Sequence, residues 1–270
     1  MKRLLTGLSL AAFVILLVWF APPPAVWAAI GVGAVLASEE VRRILAGIGM
    51  APWREVLYPG TLALIAAMIC PAQPVAMTLA TFALLLFARA LMPTQRPEEG
   101  MHRIAGTLLP MLWIGLSLGH VAAMLAWGLD AAAIARGRCL ILLLAGIVYI
   151  GDTFALYGGK LTGRHKLAPG ISPKKTWEGA FWGIVGSVVW ALGARATFFR
   201  DLPLGHAIGM AVVGGVVGVV GDLAESLLKR GAAVKDSGAL LPGHGGVFDR
   251  LDSLLLAAPV VYWWDRLLLH

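Results

Sequence analysis

Charge is what this sequence has least of. Only 14% of its 270 residues are Asp, Glu, Lys or Arg and 59% are hydrophobic, whereas soluble domains carry about 25% charged residues. That scarcity leaves no room for a separate soluble domain. Apolar runs of about 17–25 residues, the length that crosses a bilayer as helix, recur along the chain. Cysteine is nearly absent as well. Cys70 and Cys139 lie in apolar runs without CxxC spacing, which excludes a disulfide framework and a zinc site. The net charge of +7, in so apolar a chain, reflects topology and anionic lipid headgroups rather than nucleic acid.

What is present is a series of hydrophobic segments. The expected fold class is all-α, a polytopic integral membrane protein with residues 1–270 as one membrane domain. Candidate spans lie at about 4–20, 22–38, 56–70, 74–92, 104–128, 138–158, 177–199, 203–228 and 251–268, nine in all. Lys2 and Arg3 before the first run, and Ala25-Val26-Trp27-Ala28 after a proline cluster, have the look of a signal peptide. Cleavage there would leave 29–38 too short to span, so an uncut hairpin over Pro22-Pro23-Pro24 is expected. With the N-terminus inside, only five of the 22 basic residues, Arg136, Arg138, Arg195, Arg200 and Arg266, fall on the outer side. The bias follows the positive-inside rule. The weakest span is 104–128, which is long and contains His120; splitting it would change the count.

Two polar clusters break the apolar pattern, and this orientation turns both toward the cytoplasm. In the first, 221–253, Asp222, Glu225, Ser226 and Lys229 recur at i, i+3, i+4 and i+7 and share one helix face. Asp249, Asp252 and Ser253 repeat the i, i+3, i+4 pattern. Acids at the edge of hydrocarbon are costly unless paired, hydrated or metal-bound, and a hard cation such as Mg²⁺ takes a few carboxylates plus phosphate oxygens. Lys229, Arg230, Lys235 and Arg250 are interleaved with them, a composition suited to a metal and polyphosphate; interfacial salt bridges are the plainer reading. Gly243-His244-Gly245-Gly246 offers backbone N–H groups that can approach a phosphate. His244 either serves a phosphate or bonds a backbone carbonyl.

The second cluster contains Asp152, within an apolar run, then Lys160, Lys166, Lys174 and Lys175. Its bases suit a triphosphate or an anionic lipid head, or else a solvated loop obeying the positive-inside rule. Ser172-Pro173 reads as a helix start. The small-residue helix at 207–221 is suited to close packing. His102, His120, His206 and His270 lack acidic or cysteine company and are assigned no chemistry.

The run Ser226-x-Leu228-Lys229-Arg230-x4-Lys235-Asp236-x-Gly238-x2-Leu241-Pro242-x-His244-Gly245-Gly246-Val247-x-Asp249-Arg250-Leu251-Asp252 resembles the motif of the phosphatidate cytidylyltransferases, also called CDP-diacylglycerol synthases. Asp152, the Lys174-Lys175 pair and Glu178 are similar to that family too. The resemblance is dense from about 138 to 268 and vague before 104. It implies catalytic helices over 138–268 with cytoplasmic loops 159–178 and 229–250, after N-terminal helices in 1–103. It implies an enzyme of the inner membrane that makes CDP-diacylglycerol and pyrophosphate from CTP and phosphatidic acid with Mg²⁺. A monovalent cation such as K⁺ beside the Mg²⁺, and a homodimer, come with it. On that footing Asp222 and Asp249, with Asp252 and Glu225 behind them, are the expected metal ligands. Ser226, Lys229, Arg230 and Lys235 would serve the transferring phosphates. Asp152, Lys166, Lys174, Lys175, His244, Gly245, Gly246 and Arg250 would bind nucleotide or lipid head.

Other readings stay open. A CTP-dependent lipid alcohol kinase would move the terminal phosphate to a hydroxyl and need a base. An archaeal ether lipid could replace phosphatidate. A transporter should place its acids near mid-span and often repeats internally, whereas these acids gather at one side. A structural scaffold leaves both acid faces unexplained.

Overall fold

The computed structural model of the chain describes residues 2–70, 72, 74–92, 96–126, 130–238, 240 and 245–269, without the side chains of 2–8 and 10. It is 79% helical. The helices are α1 (Lys2–Phe20), α2 (Pro23–Ala46), α3 (Arg54–Ile69), α4 (Val75–Ala90), α5 (Pro97–Pro110), α6 (Ser117–Ala123), α7 (Ala131–Thr162), α8 (Trp177–Ala196), α9 (Leu204–Gly231) and α10 (Phe248–Leu268). Each expected span falls on one of them, or on the run through α5 and α6. Among the described residues five segments are long and apolar enough to cross a membrane: α2, the run Pro97–Ala123, α7, α8 and α9. Within the expected span 104–128 the helix is unbroken from 104 to Ala123, and 127–128 lie outside the described residues. Pro110 has no N–H to donate, and the chain passes it by widening into a π-helical turn, Met111–Leu116, before α6.

The chain packs as two compact units, one of 1–126 with 228–250 and one of 127–227 with 251–270. In the first, Leu57, Leu64 and Met111 form a core flanked by Tyr58, Phe82 and Leu108. Trp53, Val56 and Leu86 form a second cluster, against which Ile104 also packs. The 228–250 stretch joins this unit partly through Phe248, fully buried, whose ring meets Trp113 edge-on at 5.4 Å.

In the second unit α7 and α8 lie against each other through small residues. Gly158 sits directly under the indole of Trp182, where no side chain would fit. The same device joins α9 to α10. A Cβ on Gly221 would stand 2.7 Å from the carbonyl oxygen of Asp252, so a glycine is what allows these helices to touch at that level. The expected close packing of the 207–221 helix is therefore what brings its acidic turn beside Asp252.

One element departs from the all-α expectation. Lys166–Ala168 (β1) and Ser172–Thr176 (β2) form a small antiparallel hairpin, with Lys166 opposite Thr176 and Ala168 opposite Ser172. Ser172-Pro173 was expected to begin a helix. It opens a strand instead, because α8 begins later, at Trp177, capped by the Thr176 hydroxyl, which accepts from Gly179 N–H at 3.1 Å.

Candidate active site

Helix α9 ends an apolar run in an acidic turn, and α10 brings a carboxylate to it across the Gly221 contact. Asp222, Glu225 and Asp252 each offer a carboxylate oxygen, and these oxygens lie within 4.8 Å of one another. Glu225 is 1% exposed. Three carboxylates that close repel one another, and the arrangement is sustainable where positive charge meets it. One source is Lys175, from β2, which makes an ion pair with Asp222. The hairpin thus delivers a lysine of the second sequence cluster to an acid of the first. Ser226 Oγ lies 3.5 Å from Asp222 Oδ1 on the same helix. All-oxygen, anionic donors of this number fit a hard divalent cation.

The hairpin is held in place by Glu178, at the start of α8. Its carboxylate accepts from the backbone N–H of Arg164 at 3.1 Å and of His165 at 3.2 Å, and meets His165 Nδ1 at 2.6 Å. Lys166 and Lys174 are exposed on the strands so positioned. Asp152, on α7, lines a small cavity in this unit with Gly151, Ser187, Gly218 and Ser253. The Ser253 hydroxyl is buried there with no partner among the described residues.

The other expected site residues belong to the first unit. Helix α9 ends in a turn in which Val234 N–H returns to Lys229 carbonyl at 2.9 Å, with Ala233 in the left-handed conformation (φ 55°) that glycine usually fills. Lys229 Nζ donates to Asp249 Oδ1 at 2.7 Å. Asp249 Oδ2 accepts from the backbone N–H of Ser237 at 3.0 Å and of Gly246 at 2.8 Å. Asp249 is expected among the metal ligands, and its carboxylate accepts from these three donors. The N–H of Gly246, expected to meet a phosphate, is one of them. Gly245 has φ of 76°, the turn that sends the chain into α10. Arg230 donates to Val234 carbonyl at 3.1 Å, and Lys235 and Arg250 are exposed. His244, with Leu241, Pro242 and Gly243, lies outside the described residues.

Sequence reasoning missed one residue here. Glu40, on α2, is 6% exposed. It accepts from Ser237 Oγ at 3.0 Å, Val247 N–H at 3.0 Å and Phe248 N–H at 2.8 Å. The signal was there in Ser38-Glu39-Glu40, a polar triplet interrupting the apolar sequence of α2. Nothing in the sequence links it to residues about 200 positions later.

A model of the cytidylyltransferase family matches residues 1–268. Among curated proteins, the chain is 39% identical over 169 residues to phosphatidate cytidylyltransferase 5, chloroplastic, of Arabidopsis thaliana, covering 59% of this chain and 42% of that protein. It is 37% identical over 178 residues to a phosphatidate cytidylyltransferase of Synechocystis sp., covering 61% and 60%. It is 40% identical over 128 residues to one from Haemophilus influenzae, covering 46% and 44%. The matched stretches thus span about half the length of these curated relatives.

Proposed function

The chain belongs to the cytidylyltransferase family, and on that premise we propose that it transfers the cytidylyl group of CTP to phosphatidic acid, giving CDP-diacylglycerol and pyrophosphate. The observation that carries this reading is the convergence of Asp222, Glu225 and Asp252, with Lys175 drawn onto Asp222. A hard-oxygen cation site next to a lysine is what a polyphosphate requires. The names of the relatives point to the same lipid substrate.

In the proposed reaction an oxygen of the lipid phosphate attacks the α-phosphorus of CTP. The bond from that phosphorus to the bridging oxygen breaks, and pyrophosphate leaves with the electron pair. The attacking oxygen is already anionic at neutral pH, so no strong general base is needed. The demand on the protein is to bring two anions together and to neutralise the leaving group. Asp222, Glu225 and Asp252 would hold Mg²⁺, which supplies counter-charge for the triphosphate. Lys175 turns a positive charge toward the same carboxylates, and Lys166 and Lys174, on the same hairpin, are assigned to nucleotide or lipid phosphate. Lys229, Arg230 and Lys235 are assigned to the phosphates by their place in the motif. Asp249 is assigned to holding Lys229 and its own loop.

We further propose nine spans with the N-terminus and both polar clusters on the cytoplasmic side of the inner membrane, supported by the bias of basic residues toward that side.

The test uses purified protein in lipid–detergent micelles with Mg²⁺, phosphatidic acid or diacylglycerol, and CTP labelled at either the α- or the γ-phosphate. Entry of the α-label into lipid with phosphatidic acid is the expected result. Transfer of the γ-label to diacylglycerol would replace this reading with a lipid kinase. Movement of neither label by folded protein would reject both.

A further inference from the structure

The loop that carries the motif between α9 and α10 is clamped at two carboxylates, and one of them comes from the far end of the sequence. Val247 and Phe248 are at the start of α10, where backbone N–H groups have no partner within the helix. Glu40 accepts from both, one on each oxygen, and from the Ser237 hydroxyl at the other side of the loop. A carboxylate so deeply buried is tolerated only with such a set of donors. The surrounding glycines are cut to its shape. A Cβ on Gly238 would stand 2.7 Å from Glu40 Oε1, and one on Gly246 would collide with Glu40 Oε2 and the Ser237 hydroxyl. These two glycines make room for a carboxylate of this same chain. Glu40 takes the Ser237 hydroxyl and the Val247 and Phe248 N–H groups; the N–H groups of Ser237 itself and of Gly246, next to Val247, hold Asp249, and Asp249 holds Lys229.

We propose that Glu40 is a positioning residue for catalysis: from α2 it ties Ser237 to the Val247–Phe248 turn at the start of α10, and through them fixes the Asp249–Lys229 pair. The N-terminal helices thereby supply a working part of the motif, which the motif's own residues lack. This inference rests on the cytidylyl-transfer reading for its kinetic consequence, while its structural consequence can be read without activity.

The experiment compares wild type with Glu40→Ala, Glu40→Gln and Ser237→Ala in micelles. Two readouts are taken: turnover of CTP with phosphatidic acid, and the rate of tryptic cutting after Lys235 relative to cutting after Arg200, both exposed. Glu40→Gln keeps the volume but must turn an NH₂ toward a backbone N–H. For both Glu40 variants, kcat is expected to fall by about 10–100-fold, the usual cost of removing a support behind an active group. KM for CTP should change less than kcat. The ratio of Lys235 to Arg200 cutting should rise at least about 10-fold, because the loop opens without the rest of the protein. Ser237→Ala, which removes one bond of the three, should show the same signature at smaller size.

A cutting ratio that stays at the wild-type value overturns the proposal, as does a kcat within about twofold of wild type. If Glu40→Ala opens both sites equally and lowers the melting temperature, the residue is a general structural support; Ser237→Ala with unchanged ratio and kcat then completes the rejection. If wild type transfers no cytidylyl group, the functional reading fails, and the cutting ratio still decides whether Glu40 fixes the loop.

Discussion

The acids at the end of α9 and those around the α9–α10 loop look alike in sequence, and the structure gives them different partners. Asp222, Glu225 and Asp252 converge on one another, with their oxygens within 4.8 Å, and gather a lysine from another element. Asp249 and Glu40 each accept at least three hydrogen bonds, from Ser237, Gly246, Val247 and Phe248 and, for Asp249, from Lys229 on α9. Carboxylates facing one another are stabilised by positive charge, and a carboxylate that accepts N–H donors is stabilised by those donors. Acid spacing alone identifies a polar helix face, while the partners of each oxygen distinguish acids that converge on one another from acids that hold a loop.

Substitution within the converging set should have the largest effect. Asp222→Asn and Asp252→Asn should each lower cytidylyl transfer at least about 100-fold, and raising Mg²⁺ should restore part of it; loss of activity indifferent to Mg²⁺ would put the cation elsewhere. Asp249→Asn should also cost about 100-fold or more, since it frees Lys229 and leaves two N–H groups facing an amide. Here added Mg²⁺ should restore nothing. A Mg²⁺ titration that rescues Asp249→Asn as it rescues Asp252→Asn would return Asp249 to the ligands.

Gly221→Leu tests what brings the converging set together. Its side chain must push α9 from the Asp252 carbonyl, and it should lower stability by about 1–3 kcal/mol while activity falls with it, measured by thermal unfolding in micelles and by label transfer. Lys175→Met should be milder. The Lys175–Asp222 pair is about a quarter exposed at both ends, so its loss should cost about 1 kcal/mol or less in stability, with KM for CTP the quantity that moves. The smallest effect is expected in the loop's approach: Ala233→Gly relieves a left-handed alanine and should stabilise the protein by about 0.5–1 kcal/mol, with turnover unchanged.

The helices were legible because their signal is local. A run of apolar residues of bilayer length has one economical structure, since every backbone group must be satisfied within the segment. The i, i+3, i+4 spacing likewise put Asp222, Glu225 and Ser226 on one face without any knowledge of neighbours. The β1–β2 hairpin was not legible. Ser172-Pro173-Lys174-Lys175 has no alternation of apolar and polar residues, and its strand exists through pairing with Lys166–Ala168 and the Glu178 anchor. The capping pattern sought at Ser172 was satisfied four residues later, at Thr176.

By itself, then, the sequence determined the membrane-helical class, the position of the polar helix faces and the kind of chemistry that their residue types serve. These depend on periods of a few residues and on composition. Only the tertiary structure decided which acid meets which partner: Asp222 with Lys175, Asp252 with Asp222 and Glu225 across Gly221, Asp249 with Lys229, and Glu40 with a loop about 200 residues away. The physical reason is range. A carboxylate's role is set by the donors within about 3 Å of its oxygens, and in a folded chain those donors come from any distance along it.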